Sequence, residues 1–366
     1  MAFDNILNDI GGHGRYQVIL LCIMILCKIY PSATSMLPVF IAAYQQHYCR
    51  RPKSLENYTN LVLGECSLSY EDYFGVNRSV TCEKWHFNRS QYLSTISSKY
   101  DLVCEKFYLN HFSTSVFFFG NAIGSTVYSA FSDRHGRLRS MYLSAASCLV
   151  SGIGAAFAPR YWIFALCRCL NGMGAGGLYT AVSTMTAECV DKEHRAFWFI
   201  TMRLGGSLGI MYTGILAYYI RDAMWLQACN VVPLLLASIM FPIFIYESPR
   251  WLYTTGRLKR AQKAAHSIAK INGRKLPQDF DSNFENVELE CESTGRFSDL
   301  VRSKDIRRLT FTLLLVSFVL SIGYYGVSLG VSELGGSVYV NQIISALVEI
   351  AALCVGTFAG ELSELK

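Results

Sequence analysis

Charged side chains are scarce in this 366-residue chain: Asp, Glu, Lys and Arg make up 16% of it, whereas apolar residues make up 52%. Soluble domains carry about a quarter charged residues, so this composition excludes an ordinary soluble protein. The remaining charges lie mostly between long apolar runs. The sequence therefore predicts a polytopic membrane protein, with lipid as one of its partners.

The sequence also lacks the signatures of enzymes and of nucleic-acid-binding proteins. It shows no nucleophile paired with a base, no cluster of metal ligands and no phosphate-binding loop, so we expect no enzymatic activity, no metal and no cofactor. The net charge of +6 comes from basic residues in loops beside apolar segments, which argues against a nucleic-acid partner. A cleavable signal peptide is not predicted, because the first apolar run is too long.

Eight apolar segments are long enough to cross a bilayer as helices, which takes about 20 residues each. They lie near residues 16–41, 109–131, 140–158, 161–187, 196–220, 223–246, 309–330 and 338–360. The short loops at 133–139 and 191–195 carry more Lys and Arg than the short loops on the other side. The positive-inside rule therefore places these loops and both termini in the cytoplasm, and residues 42–108 outside.

The external segment 42–108 combines cysteines with glycosylation sequons, which indicates an oxidising compartment. The cysteines are Cys49, Cys66, Cys82 and Cys104, and the sequons begin at Asn57, Asn77 and Asn88. We expect two disulfides, and three connectivities are open. A connection of this length is expected to fold. On the other side, the long loop 247–308 contains an amphipathic helix at Arg257–Lys270, predicted to lie on the membrane or on the helix bundle.

The stretch Gly120–Arg139 joins two apolar segments through a charged turn. Gly120 and Gly124 have the spacing that lets two membrane helices approach closely. The charged residues at the turn can form directional ion pairs, and a glycine lets the chain reverse. The turn contains Asp133, Arg134, Gly136 and Arg137, and the next loop on the same side adds Glu188 and Arg195. We expect Asp133 to accept from Arg134, Arg137 or Arg195, with Glu188 close to the same group.

These motifs resemble the major facilitator superfamily, and in particular the organic cation, anion and carnitine transporters of solute carrier family 22. The charged turn resembles the loop between helices 2 and 3 that braces the N-terminal bundle during alternating access. Arg168 before Gly172 resembles the R-x-x-x-G of helix 4. The stretch from Ser94 to Cys104 is similar to the end of that family's glycosylated ectodomain, and E-S-P-R-W-L from Glu247 is typical of sugar and organic-ion carriers.

The resemblance implies an all-α membrane protein with the major facilitator fold and about eight transmembrane helices. An N-terminal six-helix bundle would occupy residues 1–246 and include the external segment. A cytoplasmic loop would follow at 247–308, and 309–366 would supply the first two helices of a truncated C-terminal bundle. The resemblance also implies a plasma-membrane location and a gating cluster of Asp133, Arg134, Gly136, Arg137, Arg168, Glu188 and Arg195.

Several ionisable and aromatic residues lie within the apolar segments, where they mark a substrate path. Aromatic faces attract organic cations, and a carboxylate within the membrane supplies the counter-charge. The candidate substrate-binding residues are Lys28, Tyr179, Arg203, Tyr324, Tyr325 and Glu349. The protein is interpreted as a carrier of small organic ions by alternating access. The sequence favours a cation or a zwitterion such as carnitine over an anion, because Glu349 supports that preference, although Lys28 and Arg203 argue the other way.

Two alternatives differ in class from a carrier. The first is a truncated, non-transporting membrane protein, a fragment or regulator that associates with a full-length carrier, because a rocking carrier needs both bundles around its site. Oligomer formation is left open. The second is a heptahelical receptor, since Asp133-Arg134-His135 resembles a receptor D-R-Y. That motif follows the second apolar segment here, and a folded external segment precedes it, so the receptor interpretation is not favoured.

Overall fold

Long α-helices form most of the protein. The structure, a computed structural model, describes residues 6–7, 9–52, 61–71, 76–277, 280 and 303–364. Within these ranges, the side chains of residues 332–333 and 357–364 are not described. In chain order the helices are α1 (Arg15–Met36), α2 (Pro38–Ile41), α3 (Ile96–Tyr100), α4 (Tyr108–His135), α5 (Arg137–Ala156), α6 (Tyr161–Cys189), α7 (Arg195–Tyr219), α8 (Ala223–Cys229), α9 (Val232–Phe244), α10 (Pro249–Thr254), α11 (Leu258–Asn272), α12 (Lys304–Leu329) and α13 (Val338–Glu364).

The eight predicted spans all contain long helices, although they differ in how apolar they are. Five helical stretches in the described residues are long and apolar enough to cross a membrane: Arg15–Ile41, Arg195–Tyr219, Ala223–Phe244, Lys304–Leu329 and Val338–Gly356. The other three spans correspond to α4, α5 and α6, which have 28, 20 and 29 residues. Their composition is less apolar because Gly, Ser and Thr occupy their packing faces.

Two of the predicted spans are interrupted, which corrects their description as single helices. In the first span, α1 continues through Pro31 but ends before Pro38, which opens the short helix α2. A proline has no backbone N–H for the helical ladder and is best tolerated in a first helical turn. The same rule explains the break between α8 and α9, since Pro233 lies in the first turn of α9.

Glycines allow α4 and α6 to pack with their backbones in direct contact. A Cβ placed on Gly120 would overlap the carbonyl oxygen of Cys169, and one on Gly124 would overlap that of Met173. The contact is reciprocal, because a Cβ on Gly172 would overlap the carbonyl oxygen of Phe117. The four-residue glycine spacing thus produces the close approach that it predicts.

Gly124→Ala is expected to lower the free energy of unfolding by about 1–3 kcal/mol, since the added methyl group has no space against a backbone carbonyl. Gly154→Ala is the matched control, because a Cβ there meets only the Cys167 side chain at 3.2 Å. Thermal unfolding of the purified variants measures the difference. Equal stability of the two variants would contradict the close approach of α4 and α6.

The external segment adds strands to an otherwise helical protein, so the all-α description holds for the membrane part only. β1 (His47–Cys49) pairs antiparallel with β5 (Trp85–Phe87), with Cys49 opposite Trp85. A second antiparallel sheet has the order β2 (Leu61–Leu63), β3 (Ser67–Glu71) and β4 (Asn77–Thr81). Among the three open connectivities, the structure has Cys49–Cys82 and Cys66–Cys104.

The three sequons have different positions relative to these strands. Asn57 lies outside the described residues, whereas Asn77 and Asn88 are exposed. Asn77 opens β4, and Asn88 follows β5 directly. Glycosylation at each of them stays a prediction.

Two hydrogen-bond centres hold the external segment and the loop helices on the bundle. At one end, the Tyr100 hydroxyl and the Lys99 ammonium of the external segment donate to the carbonyl oxygens of Ala158 and Ala156 at the end of α5, at 2.8 and 3.1 Å. At the other end, Asn272 at the end of α11 donates to the carbonyl oxygens of Ile10 and Gly11, both at 2.9 Å. The predicted amphipathic helix therefore packs on the bundle, with its alanines buried.

Candidate functional site

The charged turn forms an ion-pair cluster centred on Arg137, the first residue of α5. Its Nη1 donates to Asp133 Oδ1 at 2.6 Å, and its Nη2 donates to Glu188 Oε1 at 2.7 Å. Nε donates to the other oxygen, Glu188 Oε2, at 3.2 Å, so this pair is bidentate. The Glu188 side chain is 14% exposed and that of Asp133 is 70% exposed. The buried pair with Glu188 is therefore the stronger contact of the two.

Glu247 supports the charged turn from the opposite side by accepting three backbone hydrogen bonds. Its carboxylate accepts from the amides of Arg137, Leu138 and Ser248 at 2.9, 3.0 and 3.2 Å. The first two are free N–H groups at the start of α5, so Glu247 caps that helix from a distant part of the chain. Trp251 Nε1 also donates to the carbonyl oxygen of Asp133 at 2.9 Å.

Burial raises the pKa of Glu247, while the three backbone amides that donate to it lower the pKa and limit the rise. A carboxyl group with a raised folded-state pKa stabilises most below its unfolded pKa, and this contribution falls as the pH rises through the folded value. We expect Glu247→Ala to cost about 1–2 kcal/mol of stability through loss of the cap. Glu247→Gln, which keeps an acceptor oxygen, should cost less at pH 7. Unfolding of both variants at pH 5 and 7 tests this, and equal losses would contradict the capping role.

Gly136 has a backbone conformation that its position requires. Its φ angle is 111°, in the region that favours glycine, and a Cβ there would collide with Glu247. Of the other predicted cluster members, Arg134 is exposed and Arg195 donates to the Val190 carbonyl oxygen at 3.5 Å. The structure therefore selects Arg137 as the partner of Asp133.

Arg168 does not belong to the charged cluster, which corrects its grouping with the gating residues. It lies 20 residues before Glu188 on α6, a separation of about 30 Å along a helix. Its guanidinium stands over the Phe117 ring, with 4.6 Å from Cζ to the ring centroid. The side chain is buried, and its nitrogens have no hydrogen-bond acceptor among the described residues.

A second group, here called the central cluster, comprises the six predicted substrate-binding residues. Lys28 on α1 is 3% exposed, and its Nζ lies 3.1 Å from the centroid of the Tyr179 ring on α6. The same nitrogen donates to Ser183 Oγ at 3.0 Å. Among the described residues, no carboxylate lies within ion-pair distance of Lys28. This cation is therefore held by a ring face and a hydroxyl group alone.

Arg203 on α7 connects Lys28 to the helices that follow the long loop. Its positive charge acts on Lys28 and also on Tyr324 of α12. Tyr324 in turn lies close enough to Glu349 of α13 for an electrostatic interaction. Lys28, Arg203 and Glu349 thus belong to one network of interacting side chains, in which Arg203 acts on Lys28 and Tyr324, and Tyr324 interacts with Glu349.

Tyr325 closes the central cluster. Its ring centroid is 5.1 Å from that of Tyr324, and its hydroxyl group lies close enough to Tyr179 for an electrostatic interaction. It also packs edge-on against Phe118 at 4.7 Å. The structure therefore brings all six residues together from α1, α6, α7, α12 and α13. Tyr179 itself is 51% exposed, whereas Lys28 beside it is buried.

One group of potential metal ligands occurs in the described part of the chain: His47, Cys66 and Cys104. Cys66 and Cys104 form a disulfide, and the thiolate is the form of cysteine that binds metals. These residues therefore do not fit a metal ion.

The family follows from comparison with known proteins. A family model described as "Sugar (and other) transporter" matches residues 56–361. The chain belongs to this family. It is 31% identical over 388 residues to solute carrier family 22 member 7 of Rattus norvegicus, covering 96% of this chain and 72% of that protein. The organic cation transporter protein of Drosophila melanogaster is 28% identical to this chain. The match spans 96% of this chain and 69% of that protein.

Solved structures confirm the fold of this solute carrier family 22 member. The xylose transporter XylE from E. coli, in a partially occluded inward-open conformation, superposes with a TM-score of 0.58 at 15% identity. That match covers 95% of this chain and 73% of the transporter. A second structure of XylE, the proton:xylose symporter bound to 6-bromo-6-deoxy-D-glucose, superposes with a TM-score of 0.59. The chain is thus a multi-pass membrane protein with the major facilitator fold, from a family of transporters.

Two contributions of the site were not predicted from the sequence. Glu247 was noted only as part of a motif, because capping a helix 110 residues away leaves no local pattern. The amide of Asn171 donates to Tyr30 Oη at 2.6 Å in the bundle core, a contact between distant parts of the chain. The sequence pattern that could have indicated Asn171 is a polar amide side chain next to glycines at which helices pack.

Proposed function

We propose that this protein is a transmembrane carrier of small organic ions that bear a carboxylate, either organic anions or zwitterions such as carnitine. The observation that carries the proposal is the central cluster. Lys28 stands over the Tyr179 ring with Arg203 as a like-charged neighbour, and the one carboxylate of the cluster, Glu349, is a neighbour of Tyr324. A substrate carboxylate between the two cations would relieve the repulsion between their like charges.

The charge balance moves the preference away from a simple organic cation. Glu349 taken alone favours a cation, but the central cluster also contains two positive side chains, Lys28 and Arg203. A zwitterion can satisfy both kinds of charge at once, with its carboxylate near Lys28 and its cationic group near Glu349. The face of Tyr324, beside Glu349, would contact the cationic group.

We also propose that the charged turn faces the cytoplasm and that the protein resides in the plasma membrane. The two disulfides lie at the opposite end of the bundle, as an oxidising exterior requires. Removal of N-glycans by glycosidase should therefore increase the gel mobility of the protein. Unchanged mobility of the treated protein would contradict this orientation.

Binding and uptake by the purified protein test the substrate class. We expect saturable binding of labelled benzoate or carnitine, and weaker binding of tetraethylammonium. Tightest binding of tetraethylammonium would overturn the proposed preference for carboxylates. Uptake into proteoliposomes then separates a carrier from the alternative, a non-transporting regulator of a related carrier: saturable binding without uptake would favour the regulator.

A further inference from the structure

A groove of about 320 Å³ opens where α5, the end of α9 and the loop helices meet. It is here called the basic groove, and it lies at the same end of the bundle as the charged turn. Its lining is His135, Leu138, Arg139, Tyr142, Tyr246, Glu247, Trp251, Leu252, Arg257, Arg260, Lys263, Ala264 and Ser267. None of these lining residues belongs to the central cluster.

The charges of the basic groove are strongly one-sided. Arg139 comes from α5, and Arg260 and Lys263 lie one turn apart on α11; all three are exposed. Arg257 stands over the Trp251 ring, with 4.8 Å from Cζ to the ring centroid. The one acidic residue in the lining is Glu247, whose carboxylate already accepts three backbone amides. The exposed charge of the groove is therefore positive and fits an anion.

The apolar side of the groove fits a lipid rather than a water-soluble anion. Tyr142 and Tyr246 are 38% and 37% exposed on the flank of the bundle, beside Leu138. Tyrosines of this kind lie at the headgroup level of a bilayer, where one end of the ring is apolar and the other is wet. Basic side chains next to the cytoplasmic end of membrane helices attract anionic headgroups.

We propose that the basic groove binds the phosphate headgroup of an anionic phospholipid from the cytoplasmic leaflet. Arg139, Arg260 and Lys263 contact the phosphate, and the acyl chains follow α5 past Tyr142. Arg257 stands over Trp251, whose indole donates to the Asp133 carbonyl oxygen, so the basic groove adjoins the charged turn. The proposal rests on the orientation proposed above, with this end in the cytoplasm, and is independent of the substrate.

Native mass spectrometry of the detergent-purified protein tests the site without any transport. We expect retention of phosphatidylinositol bisphosphate over phosphatidylcholine. The double variant Arg260→Gln/Lys263→Gln should weaken this retention about 10-fold or more. The control double variant Lys259→Gln/Lys270→Gln removes the same charge from the same helix at positions outside the groove lining, and should retain the lipid.

Three results would overturn the proposal. Equal retention of phosphatidylcholine would show that charge does not select the ligand. Equal losses in the two double variants would show that only overall charge matters. Full competition by soluble inositol trisphosphate at the same concentration would make the groove a site for a free phosphate, not a lipid. A folded protein that fails to transport would leave this proposal intact, since lipid retention is read directly.

Discussion

Arg137→Ala is expected to lower the free energy of unfolding by about 3 kcal/mol, the largest stability loss predicted for the charged turn. Arg137 bonds Asp133 and, in bidentate fashion, Glu188 on a different helix. Its removal leaves the largely buried Glu188 carboxylate without its partner. Denaturant unfolding of the purified variant measures the loss, and surface labelling in cells measures its consequence for delivery to the membrane.

Two controls separate the ion pair from a general loss of charge. Arg134→Ala removes an exposed cation from the same turn and should change stability by no more than about 0.5 kcal/mol. Asp133→Ala should cost less than Arg137→Ala, since the Asp133 side chain is 70% exposed. If Arg137→Ala and Arg134→Ala destabilise the protein equally, the cluster does not act as a brace.

A double-mutant cycle assigns the energy to the Arg137–Glu188 pair itself. Residues in contact show coupling energies of about 0.5–3 kcal/mol, whereas distant pairs are additive. Arg137→Ala combined with Glu188→Ala is therefore expected to cost less than the sum of the single variants. Additive losses would place the effect outside the pair.

Lys28→Met is expected to weaken binding of labelled benzoate or carnitine about 30-fold, which corresponds to roughly 2 kcal/mol for a charge-assisted contact. Lys28 is buried against the Tyr179 ring and lacks a carboxylate partner among the described residues, so a substrate carboxylate is its natural counter-ion. Scintillation-based binding to purified protein measures the change, and thermal unfolding checks that the variant folds.

Lys99→Met is the matched control for this substitution. Lys99 also stands over a tyrosine ring, at 5.1 Å from the Tyr100 centroid, but it lies in the external segment, away from the central cluster. Its variant should bind both ligands as the unchanged protein does. Normal binding by Lys28→Met would remove Lys28 from the substrate path, and tighter binding of an organic cation by that variant would support its role in charge selection.

Local chemistry explains which features could be predicted from the sequence. Helix length in a bilayer depends on runs of apolar residues, and these are visible without a structure. The approach of α4 and α6 depends on small side chains four residues apart, as at Gly120 and Gly124. Composition could also assign the four external cysteines to an oxidising compartment. It could not choose among three pairings, since that choice depends on strand register.

The partners of the charged residues required the tertiary structure. Asp133 had three candidate arginines in sequence, and only the path of the chain at Gly136 brings Arg137 to it. Arg168 shares a helix with Glu188 but lies near the helix's opposite end, so the fold separates residues that a motif groups together. Glu247 reaches the start of α5 across 110 residues, and no local pattern encodes such a contact.

The sequence by itself determined the family, the membrane location and the identity of the residues with unusual chemistry, because these follow from composition, spacing and motif. The tertiary structure decided how those residues combine. Lys28 and Arg203 come from different helices, yet they lie close enough for their like charges to interact, and Glu349 of α13 joins the same cluster through Tyr324. The balance of charge at a site depends on distance, and distances between helices are set by packing rather than by position in the chain.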